Sequence, residues 1–177
     1  MEIIFLEEKS RGYKVRTIKN ASADVTIAMA IDFNSAGEKL TKQSVIFQKK
    51  KYIPIRLNTL QITDELVNSI IEELNLIKAK TINIAGNGLY TFKNIYNQEQ
   101  LDKYVHELLS KVLLSNKLVN KIETIRSGGQ TGIDESGAKA GIKLNIPTIV
   151  LAPKGWKFRD MYGNDISNEI LFKKRFL

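Results

Sequence analysis

Ile122-Glu123-Thr124-Ile125-Arg126-Ser127-Gly128-Gly129-Gln130-Thr131-Gly132-Ile133-Asp134 is the stretch that decides the fold. A short apolar run, Ile122 to Ile125, reads as a strand; the glycine-rich SGGQTGID turn follows it; and a helix runs from Ile133 or Asp134 to Leu144. Glycines let a backbone pass close to a ligand and take positive φ, and the free N–H groups at a helix N-terminus attract anions. Ser127, Gly128, Gly129, Gln130 and Thr131 are therefore candidate phosphate ligands. The turn is not a P-loop, because no Gly-Lys-Ser/Thr follows, and it is not a G-x-G-x-x-G fingerprint. Thr131 and Asp134 also fit an ordinary capping box, which needs no ligand. Gly137, Ala138, Ala140 and Gly141 give the helix a flat face for close approach to a sheet.

Working outward, strand-like and helix-like segments alternate along the chain, the pattern of an α/β fold with a largely parallel sheet. Ala23 to Ile31 is a continuous apolar run, expected of a strand covered on both faces, and it ends at Asp32. Ser35 and Glu38 stand at capping-box spacing before a helix running to about Phe47. Tyr52 to Leu57 reads as a strand, and Pro54 places it at an edge. Thr63 caps a helix whose stripe of Leu66, Val67, Ile70, Ile71, Leu74 and Ile77 is core. Thr81 to Ala85 is a strand running into Gly86-Asn87-Gly88. A further helix starts near Asn97 or Gln98 and buries Leu101, Tyr104, Val105, Leu108, Leu109, Val112 and Leu113. His106 lies off that stripe and reads as an exposed helix residue. After the strand Thr148 to Leu151, Pro153 to Asp160 reads as a loop, and Asp165 to Arg175 holds a final short helix.

The 177 residues are 43% hydrophobic and 26% charged, which suits one domain spanning residues 1–177. With no cysteine, disulfides, thiolate metal sites and cysteine nucleophiles are excluded. No metal or cofactor is called for. The apolar run near the N-terminus is too short for a signal peptide and nothing approaches the ~20 apolar residues of a membrane span, so a cytoplasmic protein without membrane contact is expected. Lys and Arg total 27 against 19 acids, a net charge of +8, clustered at Lys49 to Lys51, Lys154 to Arg159 and Lys173 to Arg175. That excess favours anionic partners, with a solvated basic surface as the alternative.

SGGQTGID, with the following AGIKLNIPTIVLAPKGW, resembles the molybdenum-carrier-like proteins of the SLOG superfamily, Rossmann-like domains that include the Lonely Guy phosphoribohydrolases. Gly86-Asn87-Gly88 resembles their first ligand-facing loop, without its usual Gly-Ser-Arg. Arg16-Thr17, Asn20, Ala23-Asp24, Thr26 and Ser35-Ala36-Gly37 through Leu40-Thr41, then Lys51 to Leu57, resemble the C-terminal half of the same pattern. The resemblance thus implies a circular permutation, with the family's last strand-helix-strand unit placed first. It further implies a Rossmann-like, doubly wound, mostly parallel five-stranded sheet. Its expected order is Thr148–Leu151, Ile122–Ile125, Thr81–Ala85, Ala23–Ile31, Tyr52–Leu57. Ligands of such sheets bind at the switch point beyond the carboxyl ends of the strands.

The loops Gly86–Gly88, Ser127–Thr131 and Asp32–Glu38 are expected to meet there. Ser35, Ala36, Gly37 and Glu38 would offer helix N-terminal donors, and Asp32 either a ribose ligand or a turn former. Trp156 beside Lys154, Lys157 and Arg159 is read either as a base-stacking platform or as an aromatic packed on the domain edge. The function these residues and the resemblance imply is binding of a nucleotide or nucleotide-derived small molecule. The superfamily and its phage relatives add sequestration of an immune signalling nucleotide, as a sponge for immune evasion. One alternative is a phosphoribohydrolase-like enzyme, for which Glu38, Asp32 or Asp134 would supply the carboxylate, since Thr41 stands where the family has its glutamate. Another is binding of single-stranded nucleic acid. A homo-oligomer built on helices such as Thr63 to Lys78 is expected.

Overall fold

The computed structural model describes residues 3–177. Six parallel strands form the main sheet in the order β1-β6-β5-β4-β2-β3, where β1 is Ile3–Glu7, β2 Val25–Ala30, β3 Lys51–Arg56, β4 Thr81–Gly86, β5 Thr124–Ser127 and β6 Thr148–Ala152. The five strands expected from the sequence take their expected order, and β1 adds a sixth beside β6, with Ile3 opposite Thr148. The short apolar run at the N-terminus is this strand. Its residues alternate between half-buried and exposed, because an edge strand needs apolar cover on one face only. By contrast β2, a central strand, is buried at every position. Pro54 lies in β3 at the opposite edge, where its missing N–H breaks no ladder.

Two helical layers sandwich the sheet. Helices α3 (Asp64–Leu76), α5 (Gln98–Leu113) and α6 (Ile133–Lys143) pack together on one face, while α1 (Lys14–Asn20) and α2 (Ala36–Phe47) pack against each other. The β2-α2-β3 unit winds one way along the sheet and the β3-α3-β4-α5-β5-α6-β6 units the other. Right-handed crossovers then place α2 and the α3/α5/α6 layer on opposite faces, and the winding reverses between β2 and β4. Thr63 and Asn97 cap α3 and α5 through their side chains, the latter in a full capping box with Gln100. The short helix α4 (Leu89–Phe92) leaves the end of β4. His106 sits half-buried on α5, off the apolar stripe.

Close helix–sheet contact explains the small residues of α6. A Cβ on Gly137 would lie 2.4 Å from Ile84, and one on Gly141 2.4 Å from the Thr148 hydroxyl. Beyond β6, what reads from the sequence as a plain loop contains the first strand of an antiparallel hairpin, β7 (Lys157–Arg159) with β8 (Asp165–Ser167). Helix α7 (Glu169–Lys174) then carries Phe172, which is fully buried. Phe172 joins Val150, Phe158, Phe176 and Trp156 in a small aromatic core beside β1 and β6. Among the described residues no helix is long and apolar enough to cross a membrane.

Candidate ligand-binding cleft

A cleft of about 450 Å³ opens at the point where the winding reverses. Its size falls within the roughly 300–1,000 Å³ of small-molecule sites. Asn87 ties the end of β4 to the segment that follows β2 there. Its Oδ1 accepts from the amides of Ile31 (2.9 Å) and Asp32 (3.0 Å), and its Nδ2 donates to the Asp32 carbonyl at 2.9 Å. Gly86 is required beside it, since a Cβ would meet the Met29 carbonyl at 2.0 Å.

All three expected loops reach the cleft. Gly86, Asn87 and Gly88 line one side, Gly128, Gln130 and Thr131 the next, and Ser35, Ala36, Gly37 and Glu38 the third, with Asp134 at the base of α6. Ser35 caps α2 by accepting from the Glu38 amide at 3.3 Å. The Glu38 carboxyl does not complete the capping box; it is buried in the cleft wall instead, with no side-chain partner among the described residues. The first-turn amides of Ala36 and Gly37 are also without a hydrogen-bond partner among the described residues.

Several expected roles change. The SGGQTG backbone is not an empty phosphate cradle, because the chain fills it with its own groups. Gly129 N–H donates to Ser127 Oγ (3.1 Å) and Gln130 N–H to the Asp134 carboxylate (3.3 Å). Ser127 is fully buried and donates to the Asp134 carbonyl at 2.6 Å, so it braces the turn from beneath rather than lining the cleft. Gly129, at φ +73°, faces away from the cleft; a Cβ there would stand 2.4 Å from Phe172. Nor do Thr131 and Asp134 form a capping box. The N-cap is Gly132, at φ +81°, and the Thr131 hydroxyl donates to the Arg159 carbonyl at 2.6 Å.

Lys154 and Trp156 lie outside the cleft. The indole packs edge-on against Phe172 at 5.5 Å beneath the Lys173 ammonium, which is the domain-edge reading of that residue. Asp32 does not line the cleft either; its carboxylate accepts the Asn34 amide at 2.8 Å and forms the turn before α2. The residue of this basic segment that does reach the cleft is Arg159, carried on β7. Gln130 fixes that hairpin over the turn, donating to the Lys157 carbonyl (2.9 Å) and accepting from the Arg159 amide (3.3 Å).

The charges inside are unusual. Arg16 of α1 is buried, donates to the Gly128 carbonyl and stands 3.9 Å from the Asp134 carboxylate. Burial pushes Asp134 up to about 6, against the opposing pull of Arg16. Glu38 goes further, to about 8, first because it is buried and then because Asp134 and Asp32 are near, so its carboxyl is neutral at pH 7. Tyr13, Thr17, Asn20, Leu40, Thr41, Asn83, Ala85, Tyr90 and Thr91 complete the lining. Reading single residues from sequence misses Asn83, a polar side chain in the middle of the apolar strand β4, and Tyr13 and Tyr90. Arg16, Asn20 and Thr41 carry the family resemblance, and the i, i+4 spacing of Arg16 and Asn20 on α1 is the signal that puts both on one face.

No protein-family model and no curated protein matches the chain. Among solved structures it is similar to the NADH-dependent butanol dehydrogenase A of Thermotoga maritima, at a TM-score of 0.37 and 13% identity. The alignment covers 88% of this chain and 43% of that one, so the chain spans less than half the length of that structure.

Proposed function

We propose that this protein binds a nucleotide or nucleotide-derived small molecule in the cleft between β2 and β4, as a circularly permuted SLOG-like domain. One observation carries the reading. Loops from Ser35, Gly86 and Gly128, far apart in the chain, meet at the switch point of a doubly wound sheet, the place where such folds receive ligands. The partnerless amides of Ala36 and Gly37 at the start of α2 suit a phosphate, with Arg159 near the cleft mouth as a second attraction. Phosphate capture thus moves from the SGGQTG backbone, whose Gly129 and Gln130 amides are occupied, to α2. Sequestration of a signalling nucleotide is the physiological role the sequence resemblance favours. Denaturing the purified protein and identifying the released small molecule by mass spectrometry tests the reading. A near-stoichiometric nucleotide derivative is the expected result; a protein that yields none and takes up none refutes it.

The second reading, cleavage of an N-glycosidic bond, is favoured by the neutral Glu38 carboxyl lying near Asp134. A protonated carboxyl is a competent general acid near neutral pH. Free base and ribose phosphate formed from added nucleotide, and lost in Glu38→Gln, would establish it.

A further inference from the structure

Buried polar side chains are nearly always hydrogen-bonded, and those that are not call for an explanation. Among the described residues seven buried side-chain atoms lack a hydrogen bond, Glu73 Oε2 meeting only the Lys51 ammonium, and four of them, Arg16 Nε, Asn20 Oδ1, Glu38 Oε2 and Asn83 Oδ1, belong to residues lining the cleft. They come from three elements, α1 at two successive turns, α2 and β4, and all four residues are more than nine-tenths buried. Neither the Asn20 amide nor the Glu38 carboxyl makes any side-chain hydrogen bond among the described residues. All four residues line the one cleft, with Asn83 also donating through Nδ2 to the Thr26 hydroxyl at 3.2 Å and Arg16 to the Gly128 carbonyl.

We infer that this floor, Arg16, Asn20, Glu38 and Asn83, receives the hydroxyl-bearing sugar of the ligand rather than its phosphate. The inference rests on the nucleotide reading above and divides the cleft into parts. Asparagine amides both donate and accept, and so does a neutral carboxyl. The complementary ligand group is one that also does both, and vicinal hydroxyls are that group. A phosphate chiefly accepts and carries negative charge, which the Asp134 carboxylate lining the same cleft opposes. Phosphate belongs instead at Ala36 and Gly37, on the rim. Tyr13 and Tyr90, each about two-fifths exposed, offer aromatic faces for the base nearer solvent.

The test is calorimetric titration of the full chain at pH 7 with the four common ribonucleoside 5′-monophosphates and their 2′-deoxy counterparts, with orthophosphate and spermidine as controls. At least one ribonucleotide is expected to bind about tenfold or more tightly than its 2′-deoxy form, because a site built around a hydroxyl rejects the analogue lacking it. Asn20→Ala is expected to erase that preference while leaving the unliganded protein as stable as before, since the amide it removes has no partner to lose. Glu38→Gln, which keeps a neutral donor and acceptor, is expected to retain the preference, and Glu38→Ala to lose it. Equal affinity for ribo and deoxy forms overturns the sugar assignment and leaves nucleotide binding intact. Spermidine binding in preference to every nucleotide marks the floor as an amine site and overturns it too. Failure of all eight nucleotides to bind overturns this inference, and the reading beneath it falls with it only if the denatured protein also releases no nucleotide derivative.

Discussion

Replacing Glu38 by glutamine is expected to stabilise the unliganded protein, and to do so only as the pH rises. The carboxyl is buried, partnerless and near Asp134 and Asp32, which lifts it from 4.5 to about 8. A group whose pKa is raised by folding favours the native state below its unfolded value and progressively opposes it as pH climbs through the folded value. Wild type and variant should therefore match near pH 4.5 and separate up to about pH 8. At ~1.4 kcal/mol per pKa unit the full separation approaches roughly 5 kcal/mol, and partial access of solvent to the cleft lowers it to about 2–4 kcal/mol. Urea unfolding of both proteins at half-unit steps from pH 4.5 to 9 reads this directly. A difference that is flat with pH, or a wild type that gains on the variant as pH rises, would refute the account and mean that Glu38 is ionised and paired.

The other expectations concern neighbouring parts of the site. Arg16→Met removes the cation beside Asp134 and should raise that carboxyl above its present value of about 6, so the variant loses more stability at pH 8 than at pH 5; equal losses at both would count against the pairing. Gly129→Val forces a β-branched residue to φ +73° against Phe172 and Val150, and should lower stability by about 3 kcal/mol or more, visible in the melting temperature. If that variant instead keeps its stability and loses only ligand, the turn's rear packing has been misjudged. Arg159→Ala should weaken nucleotide binding several-fold, with a shallower salt dependence and a melting temperature within a degree or two of wild type, because its guanidinium is half-exposed and pairs only with surface Asp165.

Much of the sheet is legible without coordinates because its strands are either continuous apolar runs or short segments flanked by glycine turns. Ala23 to Ile31 and Thr81 to Ala85 announce themselves in this way. Their lateral order follows once the N-terminal third is matched to the end of a permuted pattern. β1 is missed because an edge strand needs only one apolar face, and four apolar residues in a row, Ile3 to Leu6, resemble many irregular segments. The SGGQTG turn shows a different limit. Its glycines and helix are readable, but which acceptor satisfies its amides is not, since Asp134 lies within the same motif and Phe172 comes from the far end of the chain. Trp156 is ambiguous for a similar reason: an aromatic among cations suits either a base or a second aromatic, and only the position of α7 decides between them. Asn20, Asn83 and Glu38 become conspicuous only when burial shows that each has a side-chain oxygen without a partner.

The cleft draws on α1, α2, the end of β4, the SGGQTG turn and β7, so its residues run from Tyr13 to Arg159. No fragment shorter than Tyr13 to Arg159 contains it. The local unit β2-α2-β3 can form early from neighbouring residues, whereas β1 must wait for β6, with Ile3 meeting Thr148. Phe172 closes behind Gly129 later still along the chain. A ligand held in this cleft recognises only the finished molecule, so occupancy adds its free energy entirely to the native state and to no partly assembled one. Saturating ligand should then protect both ends of the chain from proteolysis together, although neither end touches it.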